Sequence, residues 1–366
     1  MAIVKAELKP CVQRQADSEW TFTRGRLSEL RGWIVLLTDD AGVTGLGYGH
    51  ALPTVSSSSE VTRAGLEFLL PKLIGRDPRA TAAIMADLDR ALAGLLNVKA
   101  AIDMALHDLV ARQLGISLDV LLGGRRRTVI PQARIVPIKS PEEMASNARA
   151  LVGEGYRALK LKFSGDADTD VARVAAVRKA VGDGVMLMID TNQSYAAKTF
   201  IQTFSRIDRY NIALVEQPVP TADFEGLKLI TTALSVPIEA DESAGSLADV
   251  YRLVSERAVD VVNLKVTKLG GLRNVVAAVN ICEAGGVVCR LGAAFGPALL
   301  QACSAHIASL FGALPFPCEL CEHLHLHDDP FTHFPCTDGT VSVPSSAGSG
   351  ASLDMAKAAP SVAVFQ

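Results

Sequence analysis

The chain has 366 residues, of which 49% are hydrophobic and 20% are charged, and its net charge is −3 at pH 7. This composition is typical of a globular protein with a large core and excludes a disordered chain. A near-neutral charge without a long basic stripe excludes nucleic acid as an expected partner, and no apolar run is long and uninterrupted enough to predict a membrane span.

The first 125 residues predict an α+β domain. Two short β-type runs, at residues 33–37 and 43–48, flank an Asp-Asp-Ala-Gly turn at residues 39–42, which predicts an antiparallel hairpin. Between residues 60 and 122, apolar residues recur at spacings of three and four. This periodicity predicts three helices, over residues 61–73, 81–95 and 97–114.

After Arg127, short β-type runs alternate with segments of helix length, the pattern of βα units and a parallel sheet. We predict strands at residues 129–138, 158–163, 185–190, 214–216, 238–241, 261–265, 286–290 and 316–320. This alternation of strands and helices predicts a barrel over residues 126–325. Residues 326–366 do not continue the alternation, and we expect this last segment to pack back on the first domain.

Five of these strands end in a charged residue. Lys162, Asp190, Glu216, Asp241 and Lys265 follow one another at intervals of 24 to 28 residues. In a (β/α)8 barrel, the C-terminal ends of the strands converge on one mouth, where the active site lies. The spacing therefore predicts a charged site at the barrel mouth.

Three of the five are carboxylates, which repel one another unless they take up protons or share a cation. Oxygen ligands without Cys or His suit Mg²⁺, and Mn²⁺ is also compatible. The alternative is that Asp190, Glu216 and Asp241 form surface salt bridges. The apolar runs that precede them, at residues 187–189 and 214–215, favour buried strands and hence the metal site.

The other two charged ends are lysines, and Lys160 precedes Lys162 on the same strand face. Two adjacent ammonium groups should lower each other's pKa, which would let one act as a general base. The alternative is a pair of lysines on a solvated face. Lys265 comes from the opposite side of the ring, so a metal would have one lysine on each face. This arrangement suits Mg²⁺-dependent removal of a proton α to a carboxylate, with the metal stabilising the enediolate.

With these residues the sequence resembles the enolase superfamily, in its mandelate racemase/muconate-lactonizing-enzyme subgroup. The matching motifs are L-K-L-K-F at 159–163, D-T-N at 190–192, V-E-Q-P at 215–218, A-D-E-S at 240–243 and N-L-K-V-T-K-L-G-G at 263–271. The resemblance implies an α/β fold, a modified (β/α)8 TIM barrel of the (β/α)7β kind with an α+β N-terminal capping domain. It also implies a homo-oligomer.

The resemblance assigns the metal site residue by residue. Asp190, Glu216 and Asp241 match the Mg²⁺ ligands. Asn192 and Glu242 match supporting positions beside the metal or the catalytic lysine.

The lysines are assigned in the same way. Lys162 matches the catalytic lysine of the K-x-K motif, with Lys160 as its electrostatic partner, and Lys265 matches the lysine of the opposite face. Lys268 is expected to be structural, although an exchange of roles with Lys265 stays open.

Substrate choice in this family lies in the capping loops and the last barrel strands. The specificity candidates here are Trp20, Phe22, Tyr48, His50, Arg290, Phe295 and Glu319. Arg24 falls in the same first loop as Trp20 and Phe22. The aspartate-rich eighth strand that marks dipeptide epimerases is absent, which disfavours dipeptides as substrates.

The expected activity is that of a racemase, epimerase or cycloisomerase acting on a small carboxylic acid. A dehydratase of a hydroxy acid is the alternative within the same chemistry, and a non-catalytic metal-binding protein is the alternative from another class. The complete set of five charged strand ends favours an enzyme.

A second cluster competes for a role in metal binding. Cys318 and Cys321 precede His323, His325 and His327, and three imidazoles on one face of an extended segment could form a zinc site. The alternative is a surface or interface strand. The seven cysteines are an odd number in a chain large enough to need no disulfides, which predicts reduced thiols and a cytoplasmic protein.

Overall fold

The N-terminal part of the chain is an antiparallel sheet covered by helices. The computed structural model describes residues 1–332 and 334–366. The strands here are β1 (Ile3–Gln15), β2 (Thr21–Phe22), β3 (Gly25–Arg26), β4 (Glu29–Asp39) and β5 (Thr44–Gly49). The helices are α1 (Ser59–Leu69), α2 (Thr81–Ala91), α3 (Leu96–Leu114) and α4 (Leu118–Leu121), with 3-10 turns at Leu70–Leu73 and Pro78–Ala80.

The predicted hairpin is confirmed as β4 and β5, which pair from Trp33–Gly49 to Thr38–Thr44. The predicted second helix is four residues too long. It ends at Ala91 because Leu92 is extended and both Gly94 and Leu95 have positive φ.

Helix α3 joins this sheet to the rest of the molecule. Gly47 of β5 lies directly against it, since a Cβ there would come within 1.9 Å of the Ala101 carbonyl oxygen. On another face, the Asp103 carboxylate accepts a hydrogen bond from the Leu272 backbone N–H at 2.5 Å. The helix is therefore buried along most of its length.

The predicted parallel barrel is present. After β6 (Val129–Pro131), its strands in chain order are β7 (Arg134–Val136), β8 (Ala158–Lys162), β9 (Met186–Asp190), β10 (Ile212–Glu216), β11 (Ile238–Ala240), β12 (Val261–Leu264) and β13 (Val288–Leu291). The helices are α5 (Pro141–Gly153), α6 (Ala167–Val181), α7 (Ala197–Ile207), α8 (Phe224–Ala233), α9 (Leu247–Ser255), α10 (Val266–Leu269), α11 (Leu272–Gly285) and α12 (Ala298–Ala308), with a 3-10 turn at Asp208–Tyr210. Strands β7 to β13 pair in sequence order.

In place of the predicted eighth strand, the structure has an isolated β-bridge at Cys318. Its backbone N–H donates to the Pro131 carbonyl and its carbonyl accepts from Ala133, while Glu319 donates to the Leu291 carbonyl at 3.0 Å. These bonds connect the two ends of the seven-stranded sheet and close the barrel. Pro315 and Pro317 limit the pairing because proline has no N–H to donate.

The predicted first strand, residues 129–138, is divided in two. Strand β7 belongs to the barrel, whereas β6 pairs with a strand from the end of the chain. The two strands separate at Gln132, whose backbone N–H donates a hydrogen bond to the Gly339 carbonyl.

The part of the chain from Glu322 onward contacts both parts of the molecule. It contains a 3-10 turn (Glu322–His325) and the strands β14 (Leu326–His327), β15 (Cys336–Thr337), β16 (Thr340–Ser342) and β17 (Ala363–Phe365). Strands β14 and β17 pair with β1, whereas β16 pairs with β6.

A small apolar layer closes the barrel beneath the site. It is formed by Ala133, Ala158, Met188, Leu214 and Val261. Because side chains alternate along a strand, Ala158 and Met188 lie on the same face as Lys162 and Asp190, nearer the N-terminal ends.

None of the helices described is long and apolar enough to cross a bilayer.

Candidate active site

The three predicted metal ligands meet at the barrel mouth. Asp190 and Glu216 end neighbouring strands and are register partners, and Asp241 directly follows β11. Their exposed fractions are 0%, 1% and 4%. Each carboxylate is paired with an ammonium group, because three buried negative charges are unfavourable without compensation.

The ammonium groups stand between the carboxylates. The Lys160 Nζ lies 2.7 Å from Glu216 Oε2 and 3.6 Å from Asp190 Oδ2, and the Lys162 Nζ lies 2.5 Å from Asp190 Oδ2. Within residues 1–332 and 334–366, no three His, Cys, Asp or Glu side chains are arranged as a ready-made metal ligand set.

The carboxylates at the barrel mouth are nevertheless the chemical type of ligand that suits Mg²⁺. Burial raises the pKa of Glu216 well above its usual value, and the neighbouring Asp190 adds to this effect. Glu242 has a raised pKa from burial and from Asp241, and its Oε2 is buried without a hydrogen-bond partner. Hard carboxylate oxygens crowded in this way are the ligands that Mg²⁺ prefers. Binding requires them to exchange their lysine partners for the ion.

Lys160 is the deepest of the lysines. Besides Glu216, it donates to Glu319 Oε2 at 2.7 Å. Burial alone would lower the pKa of Lys160, but Glu216 and Glu319 outweigh burial and raise it well above its usual value. The predicted mutual lowering of lysine pKa values is therefore wrong for Lys160, because two carboxylates neutralise its charge.

On its other side, Lys162 contacts Asn192, and Asn192 in turn contacts Glu242. Lys162 donates to Asn192 Oδ1 at 3.0 Å, and the Asn192 amide lies 3.4 Å from Glu242 Oε1. Asn192 has a φ of 42°, a left-handed conformation that asparagine tolerates. Its backbone N–H donates to Asp190 Oδ1 at 2.8 Å, which fixes the turn after β9.

Two lysines reach Asp241 from the end of β12. The Lys265 Nζ lies 2.6 Å from Asp241 Oδ2, and the Lys268 Nζ lies 2.7 Å from Oδ1. Burial alone would lower the pKa of Lys265, but Asp241 raises it above its usual value, whereas burial dominates at Lys268 and lowers its pKa. Helix α10 is one turn long, which brings both lysines to the same carboxylate.

Arg290 and Glu319 lie inside the barrel rather than in the cavity wall. Arg290 contacts Glu239 at 2.8 Å, Glu216 at 2.9 Å and Glu319 at 3.6 Å. Their assignment as specificity residues is therefore corrected: Arg290 and Glu319 are fully buried and brace Glu216 and Lys160 from below.

Tyr48 is also misplaced by the sequence-based prediction. It is fully buried on the barrel side of β5. It fills the space that Gly32 and Gly296 leave open, since a Cβ on Gly32 would lie 2.2 Å from the Tyr48 hydroxyl oxygen. Tyr48 is a packing residue because its neighbours, not the cavity, surround the ring.

The remaining specificity candidates do line a cavity. Its volume is about 540 Å³, within the usual range for small-molecule sites. Trp20, Phe22, Arg24, His50 and Phe295 form its walls with Lys160, Lys162, Asn192, Asp241, Glu242, Lys265 and Lys268. Burial, with a contribution from Lys265, lowers the pKa of His50 to about 4, so its imidazole is uncharged at neutral pH.

Sequence reasoning missed several cavity residues. They include Leu52, Val55, Leu95, Ile135, Thr221 and Ala293. The one signal available was the alternation along the first barrel strand, which places Ile135 on the same face as Ala133.

The Cys/His cluster does not have the predicted extended form. Residues Glu322–His325 form a 3-10 turn. His323 is buried against Phe334, with ring centroids 5.0 Å apart, whereas His327 is exposed on β14. The imidazoles therefore point to different environments and do not share one face.

Two family models match the chain. The model described as mandelate racemase / muconate lactonizing enzyme, N-terminal domain, matches residues 14–123. The model described as enolase C-terminal domain-like matches residues 143–357.

Three similar proteins illustrate the likeness. The chain is 35% identical to the L-Ala-D/L-Glu epimerase of Bacillus subtilis, over 75% of this chain and 76% of that one. It is 32% identical to the chloromuconate cycloisomerase CbnB of Cupriavidus necator, over 88% and 90%. The crystal structure of the dipeptide epimerase from Enterococcus faecalis, complexed with Mg and L-Leu-L-Tyr, superposes with a TM-score of 0.92 at 29% identity, over 96% of this chain and 100% of that one.

Proposed function

Because the chain belongs to the mandelate racemase/muconate lactonizing enzyme subgroup of the enolase superfamily, we propose that it is a racemase or epimerase of a small carboxylic acid. The reaction would move a proton at the carbon next to the carboxylate. The relatives named above are isomerases, and the charged barrel mouth supports the same class of chemistry for this chain.

One observation carries this proposal. Lys162 ends the second barrel strand and Lys265 follows the sixth, so the two stand half a turn apart around an eight-stranded ring. Both line the same cavity. A carbon acid held between them presents one face to each amine.

The residues of the barrel mouth have separate roles in the proposed reaction. Asp190, Glu216 and Asp241 are the proposed Mg²⁺ ligands, and bound Mg²⁺ would supply positive charge to the substrate carboxylate. Lys162 would remove the proton from one face, and Lys265 would return a proton to the other.

The remaining lining residues position these groups. Asn192 holds the Lys162 amine, and Lys160, which also lines the cavity, would add a positive charge near the reacting carboxylate. A positive charge already in place there costs no reorganisation when negative charge develops.

Cycloisomerisation is the second candidate. It is favoured by the cycloisomerase relative, which matches a larger share of this chain than the epimerase does. A cycloisomerase needs one base for one face, and so does the dehydratase alternative, whereas a racemase needs both lysines.

The proposed reaction is tested by wild-type enzyme with Mg²⁺ in D₂O. We expect both enantiomers of an accepted acid to gain deuterium at the α-carbon and to converge on a racemic mixture, as measured by NMR and chiral chromatography. Exchange confined to one enantiomer, without racemisation, would favour the one-base alternatives. Lys198→Ala, at an exposed position of α7, serves as a control with unchanged rates.

The domain boundaries at residues 125 and 325, the homo-oligomer and the cytoplasmic location stay predictions.

A further inference from the structure

One side of the cavity is almost entirely apolar. This apolar wall consists of Trp20, Phe22, Leu52, Ile135, Ala293 and Phe295. Its rings pack closely, since the Trp20 centroid lies 4.8 Å from that of Phe295 and 5.7 Å from that of Phe22. A ligand group placed against this wall is removed from water on several sides.

The lysines that line the cavity stand at the barrel mouth. Lys160, Lys162, Lys265 and Lys268 contact the carboxylates of the barrel mouth. Arg24 is the cation nearest the loops, and it contacts Glu242 Oε1 at 3.3 Å and donates to the Thr54 carbonyl at 2.8 Å. A second carboxylate at the far end of the substrate would therefore have to displace Arg24 from these two partners.

Each acid that lines the cavity contacts a cation through at least one oxygen. The two that line the cavity, Asp241 and Glu242, both face lysine or arginine. Glu319 of the eighth strand turns inward to Lys160 and to the Ala293 backbone N–H. Glu322 is fully buried, with Arg134 4.0 Å away. An ammonium group on the substrate would therefore meet more cations than anions.

On the basis of the proposed function, we propose that the substrate is a monocarboxylic acid whose far end, opposite the carboxylate, is uncharged and apolar. Its carboxylate would lie over the lysines, its apolar group against the apolar wall, and any nitrogen on the α-carbon would carry no charge. An unpaired charge buried at the wall is strongly unfavourable, whereas burying an apolar group there is favourable in proportion to the apolar area removed from water. The class excludes free dipeptides and dicarboxylates.

Three matched acids test this class on the wild-type enzyme. N-acetyl-phenylalanine has one carboxylate, a neutral nitrogen and an aromatic group. Alanyl-phenylalanine adds an ammonium group, and N-acetylglutamate replaces the ring by a second carboxylate. We expect kcat/KM for deuterium exchange to be at least about tenfold higher for N-acetyl-phenylalanine than for the other two.

Binding separates this inference from the proposed function. Titration calorimetry with Mg²⁺ present should show the same order of affinity without requiring turnover. If N-acetyl-phenylalanine binds best but no acid exchanges, the proposed function is wrong and the substrate class stands. If the dipeptide or the dicarboxylate binds or exchanges best, the substrate class is wrong.

The apolar wall itself is tested with Phe295→Ala. We expect the affinity for N-acetyl-phenylalanine to fall about tenfold, while the affinity for N-acetylalanine, which lacks the ring, changes less than about threefold. An equal loss for both ligands would contradict the role of the wall. The wild-type panel decides the question even if this variant does not fold.

Discussion

The carboxylate of Glu216 accepts hydrogen bonds from three buried donors. Lys160 and Arg290 reach Oε2 at 2.7 and 2.9 Å, and Asn263 reaches Oε1 at 2.9 Å. Two cations and an amide therefore hold this side chain in one orientation at the barrel mouth.

Replacing Glu216 with Gln keeps the shape of the side chain and removes its charge. We expect the affinity for Mg²⁺ to fall at least about tenfold, because one of three anionic ligands is lost. Titration calorimetry measures this affinity, and circular dichroism checks that the fold persists. The matched control is Glu322→Gln, a buried carboxylate outside the ligand set. Unchanged affinity in Glu216→Gln would contradict the metal site.

Arg290 compensates the charge of three buried acids, so its loss should be costly. Replacing Arg290 with Met leaves Glu216, Glu239 and Glu319 short of a cation, and we expect the free energy of unfolding to fall by about 3–5 kcal/mol. Urea denaturation measures this change. The control is Arg252→Met at an exposed pair, where we expect less than about 1 kcal/mol. A small loss at Arg290 would contradict its role in compensating the charge of these acids.

Individual residues were predictable where the strand period determines their orientation. Lys162, Asp190, Glu216, Asp241 and Lys265 end consecutive strands, and parallel strand ends converge. Arg290, Glu319 and Tyr48 were misjudged because the sequence does not show whether a polar or aromatic side chain at such a position faces the cavity or the interior.

At the scale of elements, a buried hydrogen bond between Asp119 and His306 joins helix α4 to α12. The Asp119 carboxylate contacts the His306 imidazole at 2.8 Å and the Arg125 guanidinium at 2.7 Å. Burial alone would raise the pKa of Asp119, but hydrogen bonds from His306, Ser117 and Arg125 outweigh burial and lower the pKa to about 2.

The sign of the resulting pH dependence follows from this lowered pKa. The ionised carboxylate stabilises the folded state above its unfolded pKa of about 4, and this stability is lost as pH falls towards 2. We expect Asp119→Asn to be less stable at pH 6 and to lose less stability than the wild type between pH 4 and pH 2. Urea midpoints measured across this range check it, and parallel curves for both proteins would contradict it.

Element boundaries were less predictable than element types. The helix over 81–91 ends where Leu92 becomes extended, which apolar periodicity does not reveal. The run at 129–138 is mostly apolar, yet β6 and β7 separate because the end of the chain supplies β16 as a partner for β6. Pairing across more than two hundred residues leaves no local signal.

At the scale of the whole molecule, the cavity forms where the N-terminal loops meet the barrel mouth. The barrel supplies the lysines and carboxylates, and the loops supply Trp20, Phe22 and His50. The motifs could predict the barrel side, since each motif has its own strand. The depth and composition of the apolar wall depend on how the loops fold over the mouth, which requires the structure.

The central claim is that Lys162 and Lys265 each serve one face of the substrate. Its most direct test is deuterium incorporation from D₂O into each enantiomer by Lys162→Ala and Lys265→Ala, with Lys268→Ala for comparison. We predict that each of the first two variants exchanges one enantiomer only, that the two choose opposite enantiomers, and that both lose racemisation. If Lys162→Ala exchanged both enantiomers at the wild-type rate, or if Lys268→Ala rather than Lys265→Ala lost one face, the two-base account would be contradicted.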